Sequence, residues 1–451
     1  MSVQVTIVGG GSYQWAPKLV TDLLALPALA DVRLVLEDID ARALERLGAY
    51  ARRAIEQTDS KATVVTSTDQ RAALEGADFV VVTISTGGFA SMAVDLQVPA
   101  RHGIVQSVGD SVGPGGINRS LRNVPVLVGI ARDMEQVCAH AWMLNITNPM
   151  ACLTRAVCRE TTVKAVGLCH EVSNFCMDLA IALGKPHHVV RPTVAGVNHL
   201  PVVSVLDIDG HDGLSMLRDM VEELGGIDAV RPDPGRPPAD PFTVADFVQR
   251  HVLKLALLER FGALPAAGDR HVAEFLPSVL TEESDWGARW NIKITSIEKR
   301  QEDQAEFEAE VETVLSGTEP LPTWDSGELV APVIDSLLTG TRRELPLNLP
   351  NAGHVPDAPR DAAVESICVV DANGITGRDR PHLPAAMAEL VHRHAVVNEL
   401  TVEAALNGDR RLVSAAFALD PLAGRGDMEV TEHMIDELLA GTRQWLPQFS
   451  T

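Results

Sequence analysis

Through the first third of the chain, short unbroken apolar runs alternate with stretches whose apolar residues recur every three or four positions. Val3–Val8 is apolar and β-branched, the pattern of a strand covered on both faces. Gly9, Gly10 and Gly11 end it, and helical spacing then predicts a helix from about Ala16 to Leu26. The same alternation predicts strands at Val32–Leu36, Thr63–Ser67, Asp78–Ile84 and Trp142–Ile146, with helices over Ala41–Gln57 and Val124–Ala139. Strand and helix in turn predict an α/β fold with a doubly wound parallel sheet.

Beyond about residue 200 the pattern changes. Val202–Ile208 reads as a strand, and Ile227–Pro241, rich in Pro, Gly and Asp, as a loop. Helical spacing then covers Val244–Phe261, Ile294–Leu315, Ser326–Gly340, Ala385–Asn407 and Glu429–Leu439. Ala363–Val370 reads as a strand and Pro346–Pro359 as irregular. The expected division is a Rossmann-type domain over residues 1–195 and an α+β, mainly helical domain over 196–451.

Composition narrows the class of function. The 451 residues are 46% hydrophobic and carry a net charge of −23, too apolar for a disordered chain. So acidic a surface argues against non-specific binding to nucleic acid or to an anionic membrane. It leaves room for an anionic small substrate in a local basic pocket. No apolar run approaches the roughly 20 residues of a membrane span, and Met1–Gly11 is not expected to be a signal peptide. The six cysteines contain no CxxC pair, so reduced thiols in a cytoplasmic protein are expected.

Gly9 and Gly11 occupy two positions of a GxGxxG fingerprint, whose third position is here Gln14. They permit a tight turn and let backbone N–H groups approach a pyrophosphate at the following helix start, with Ser12 beside them. Asp38, at the end of the second strand, would bind ribose hydroxyls and disfavour a 2′-phosphate, which points to NAD⁺ over NADP. Thr86 and Gly87 end the fourth strand, and Asn148 follows the next, where such a cofactor also passes.

Gly167-Leu168-Cys169-His170-Glu171 and Gly196-Val197-Asn198-His199-Leu200 each place a chemically versatile residue just after an apolar segment. From spacing alone, buried structural roles for Cys169 and His199 are as good a reading as a metal site. Together with Asp110-Ser111-Val112-Gly113-Pro114-Gly115-Gly116, Arg119-Ser120-Leu121-Arg122-Asn123, Asn145-Ile146-Thr147-Asn148-Pro149 and Asp269-Arg270-His271-Val272-Ala273-Glu274-Phe275, they resemble a known family. The chain resembles the NAD- and metal-dependent glycosidases, family 4 of the glycoside hydrolases (its α-galactosidase, α-glucosidase and α-glucuronidase branch), or a sister family of NAD-dependent sulfoquinovosidases.

That resemblance implies a lactate/malate dehydrogenase-like architecture and an unusual hydrolysis. NAD⁺ takes a hydride from C3 of the sugar, a base removes the C2 proton, the aglycone is eliminated, water adds, and the hydride returns. It implies Mn²⁺ or another divalent metal on Cys169 and His199. It places substrate contacts at Asp110, Asn148, Arg119, Arg122 and His271, and a general acid at His170. The chain has no tyrosine after Tyr50, so the base that is a tyrosine in many relatives is expected to be Asp269. A non-phosphorylated hexoside is expected, leaning to an acidic or sulfonated α-glycoside (a uronide or sulfoquinovoside), with Arg270 as a further anion contact. Family members commonly form homodimers or homotetramers. The competing readings are an NAD-dependent 2-hydroxyacid dehydrogenase and a non-catalytic NAD-binding sensor, neither of which needs Cys169 with His199.

Overall fold

A computed structural model describes residues 2–233, 239–322, 326–378 and 380–449. Among them thirteen strands form one sheet. They are β1 (Gln4–Val8), β2 (Arg33–Glu37), β3 (Thr63–Ser67), β4 (Phe79–Val82), β5 (Trp142–Asn145), β6 (Lys164–Leu168), β7 (Val190–Val197), β8 (Leu200–Ile208), β9 (His211–Asp212), β10 (Leu264–Pro265), β11 (Arg343–Pro350), β12 (Ala363–Asp371) and β13 (Gly374–Gly377). The order is β10-β8-β7-β12-β11-β6-β5-β4-β1-β2-β3, with β9 on β8 and β13 on β12. From β3 to β6 the pairing is parallel throughout, in the 3-2-1-4-5-6 order of a dinucleotide-binding fold. From β11 outward it is antiparallel.

The strand period of two sorts side chains between two cores. Along β4, Val80 and Val82 face a core shared with the helix Gly113–Val137, while Phe79 and Val81 face one shared with Ala41–Gln57. Both faces are therefore covered, which is why these strands read as continuous apolar runs.

Several elements depart from the expected pattern. The helix expected over Val124–Ala139 begins at Gly113. Its glycines conceal the signal, because they are there for close approach: a Cβ on Gly116 would lie 2.4 Å from the Ser111 carbonyl carbon, and one on Gly115 2.8 Å from the Gly109 oxygen. The helix expected over Val244–Phe261 breaks at His251 into Val244–Arg250 and Val252–Phe261. The second piece is capped from a distance, by the Asp269 carboxylate accepting from the Leu253 and Lys254 amides. The supposedly irregular Pro346–Pro359 contains most of β11. Pro346 and Pro350 have no amide to donate, and pairing with β6 is confined to Leu347 and Asn348 between them. Ile227–Val230 forms a short helix within the expected loop, whose residues 234–238 lie outside the described ones.

His394 is wholly buried in the helix Ala385–Asn407, edge-on to Phe275, with neither ring nitrogen hydrogen-bonded. Burial pushes its pKa from 6.5 to about 3. The unfolded chain binds this proton below pH 6.5 and the folded chain does not until about pH 3, so stability is lost as pH falls through that window. The expected loss is about 1.4 kcal/mol per pH unit. Urea unfolding at pH 7 and pH 5.5 should show His394→Leu losing less on acidification than the wild type. Equal losses would assign the acid sensitivity to other groups.

Candidate functional site

The carboxyl ends of β1, β2, β4 and β5 bring together the residues expected to hold a dinucleotide. Gly9 follows β1 with φ 91°, and a Cβ there would meet the Thr83 oxygen at 1.9 Å, so only glycine fits. The Gly9 and Gly10 amides donate to the Glu37 carbonyl. Asp38 accepts from the Gly11 amide at 2.9 Å through one oxygen and from the Asp40 amide at 2.9 Å through the other. That fixes its carboxylate at the end of β2, beside the turn that carries Ser12. Gly87, with φ 83°, caps the helix Gly88–Arg101, and the Thr86 amide is held by Asn123 Oδ1. The Asn148 carbonyl accepts from Arg119 and Asn123, while its side-chain oxygen is buried without a partner.

The metal-type residues gather next to this row. Asp110, His199 and His271 each offer a ligand atom, all within 4.8 Å of one another. His199 sits in the two-residue turn of the β7–β8 hairpin at φ 66°, an unusual conformation for a non-glycine residue. The turn is held by Asn198, whose side chain donates to Glu365 of β12 at 3.1 Å. The imidazoles of His199 and His271 lie 3.9 Å apart, centroid to centroid.

Ser111 orients the histidine. Its hydroxyl donates to Asp110 at 2.8 Å, so it accepts from His199 Nδ1, 2.7 Å away. The proton is then on Nδ1 and the Nε2 lone pair is left for a cation. Burial and the neighbouring His271 push the His199 pKa down to about 3, so the ring is neutral. Burial alone would raise Asp110, but His271, His199 and Arg119 hold it well below the ordinary carboxylate range. Nothing in the sequence singled out Ser111, whose role depends on a residue far along the chain.

Cys169 lies at the end of β6 outside this tight trio, with the Asn198 side chain hydrogen-bonded to it. Burial, with Glu365 and Glu171 nearby, pushes its thiol well above the ordinary value. His170 is paired through Nδ1 with Glu328 at 3.0 Å. Burial would lower its pKa, but the Glu328 carboxylate outweighs that and raises it. Glu171 accepts from the Gly268 amide and faces both cluster histidines and His170, which hold its pKa near 2 despite burial.

Two expected site residues are engaged with partners outside the trio. Asp269 is not a member of it. Its oxygens accept from the Leu253 and Lys254 amides, and its nearest cation is Lys254 Nζ at 3.8 Å. Burial pushes Asp269 up to about 6 and Lys254 down. Lys254 is 1% exposed, rests on Phe175, and also feels Glu171. The sequence hid it, because a lysine in an amphipathic helix reads as solvated. Arg122 is not a free substrate contact either. Its guanidinium grips Asp95 through Nη1 at 2.9 Å and Nη2 at 2.5 Å, with both side chains buried, and its Nε donates to the Thr86 carbonyl. It anchors the cofactor-side loop. Arg119 reaches Asn148 and Ser85 and feels Asp110, so it links the dinucleotide row to the trio.

Similarity to known proteins extends over nearly the whole chain. The model for "Family 4 glycosyl hydrolase" matches residues 4–185, and that for "Family 4 glycosyl hydrolase C-terminal domain" matches 194–423. An α-galacturonidase of Lachnoclostridium phytofermentans is 32% identical over 460 residues, covering 99% of this chain and 97% of that one. The crystal structure of lplD from Bacillus subtilis superimposes with a TM-score of 0.85 at 30% identity, covering 97% of this chain and 100% of that one. A 6-phospho-α-glucosidase from gut microorganisms, crystallised with NAD and Mn²⁺, shares the fold with a TM-score of 0.82 at 20% identity, covering all of both chains.

Proposed function

The chain belongs to family 4 of the glycosyl hydrolases, and from that premise we propose that it cleaves an α-linked hexoside bearing an anionic C6 group, a hexuronide first of all, with NAD⁺ and a divalent metal. The observation that carries the reading is the trio Asp110, His199 and His271 beside a turn that admits only glycine. Family membership sets aside the dehydrogenase and sensor alternatives.

Both groups fit the residues present. The glycine turn, Asp38, Ser12, Thr86 and Gly87 would hold the dinucleotide, and the unpartnered Asn148 oxygen would accept from it. Imidazole and carboxylate donors suit Mn²⁺ and similar ions. His199 belongs both to that trio and to the pair with Cys169 implied by the family. Cys169 would join as a ligand only on losing its proton, since its thiol is held neutral by burial. Bound together, the two groups supply a hydride acceptor for C3 and positive charge for the sugar oxygens at C2 and C3.

The chain's own residues divide the remaining work. Ser111 and Asp110 keep Nε2 of His199 available. Glu328 favours the protonated form of His170, which suits it to deliver a proton to the leaving oxygen. Lys254, pushed down by burial against the opposing pull of Asp269 and Glu171, is the group we assign to take the C2 proton.

The test is a set of 4-nitrophenyl glycosides: α-galacturonide, α-galactoside, α-glucoside and sulfoquinovoside, assayed with NAD⁺ and Mn²⁺ under reducing conditions. Hydrolysis is expected to require NAD⁺ and to accumulate no NADH, with the anionic glycosides preferred. One NADH released per turnover would instead indicate a dehydrogenase.

A further inference from the structure

The arginines around Asp110 differ in what occupies them. Arg119 is spent on the Asn148 carbonyl, Ser85 and Met92. Arg300, in the first turn of the helix Ile297–Leu315, gives one Nη to the Val108 carbonyl at 2.8 Å and is otherwise unengaged, its Nε buried without a partner. Arg270 is exposed, and its Nη1 touches only Thr295 Oγ1 at 3.4 Å. Among the described residues, no carboxylate lies within the 4.0 Å of an ion pair from either. Arg300 feels Asp110 and the like charge of Arg270, with Glu274 and Asp303 further contributors.

Hydrogen bonds tie their segments to the loop that leads into Asp110. The Ser107 hydroxyl donates to the Arg270 carbonyl, and the Thr295 amide donates to the Ser107 carbonyl at 3.0 Å. Backbone bonds thus tie the segments that carry both guanidinium groups to the Asp110 loop, and neither group is in an ion pair among the described residues, in a chain of net charge −23. Adjacent like charges are unfavourable unless an anion comes between them, and planar guanidinium groups suit a carboxylate or sulfonate.

We propose that Arg270 and Arg300 form the cradle for the C6 anion of the sugar and so select an acidic hexoside over a neutral one. The proposal rests on the trio being the sugar-binding site. Carboxylate and sulfonate present the same chemistry to this cradle, and relative rates on the two substrates distinguish them.

The experiment measures kcat/KM of the wild type, Arg300→Gln, Arg270→Gln and Arg300→Lys on the α-galacturonide, sulfoquinovoside and α-galactoside. Each Gln variant is expected to lose about 100-fold on the favoured anionic substrate, mainly through KM, and less than about 5-fold on the galactoside. Arg300→Lys should recover part of the loss. Equal losses on charged and neutral sugars, with NAD binding retained, would overturn the cradle while leaving the glycosidase reading intact. A wild type that cleaves the galactoside and neither anionic glycoside would overturn the substrate class and the cradle with it.

Discussion

His199→Ala is expected to lower kcat/KM by more than about 10³-fold, the scale of losing a metal that stabilises charge in the transition state. His199 is the residue common to the trio and to the pair with Cys169, so no remaining set is complete without it. The purified variant should retain no stoichiometric manganese. NAD affinity should stay within about 2-fold of the wild type, because the glycine turn and Asp38 lie on other strands. Ser111→Ala probes the same site more gently: it frees the imidazole to rotate and should cost about 10- to 100-fold in metal affinity. A His199→Ala enzyme with full manganese and near-normal turnover would move the metal elsewhere.

Lys254→Met carries the second large effect. Methionine fills the same apolar space against Phe175, so the fold should persist, while the proposed proton acceptor is gone. The expected loss in kcat is about 10³-fold. In D₂O the wild type should place deuterium at C2 of the released sugar, and the variant should not. Lys254→Arg separates chemistry from structure, because arginine keeps the charge near Asp269 and cannot give up its proton. It should remain folded and inactive. If Lys254→Arg works at normal rate with undiminished C2 exchange, the base is another group, with Glu171 next because it faces the same histidines.

The first five parallel strands were legible because they write themselves as short apolar runs between helices, whereas β6, with only Ala165-Val166 and Leu168 as its apolar signal, was not. Gly9 and Asp38 were legible because a dinucleotide turn demands particular residues at fixed spacing. The hairpin strand β7 was not, since Pro192 and its exposed neighbours break the apolar pattern. Strand β11 was hidden behind its prolines. At the site, His199 was named from its motif, but Ser111, Glu328 and Lys254 were not. Each matters through a partner distant in sequence, and pattern along the chain says nothing of such pairs. Asp269 illustrates the converse. A motif pointed to it as the base, and only its hydrogen bonds reveal that it caps the helix Val252–Phe261 and lies beside a buried lysine.

The strand order has a consequence for synthesis. β6 ends at Leu168 and β7 begins at Val190, yet β11 and β12, from residues 343 to 371, lie between them in the sheet. The hairpin that strains His199 into place is attached to the nucleotide-binding half through these late strands. As the chain emerges from the ribosome, the first six strands can pair early, while the hairpin, complete at Ile208, waits until β12 ends at Asp371. A nascent chain halted before Ala363 would carry every proposed ligand of the metal and still lack the scaffold that brings them together.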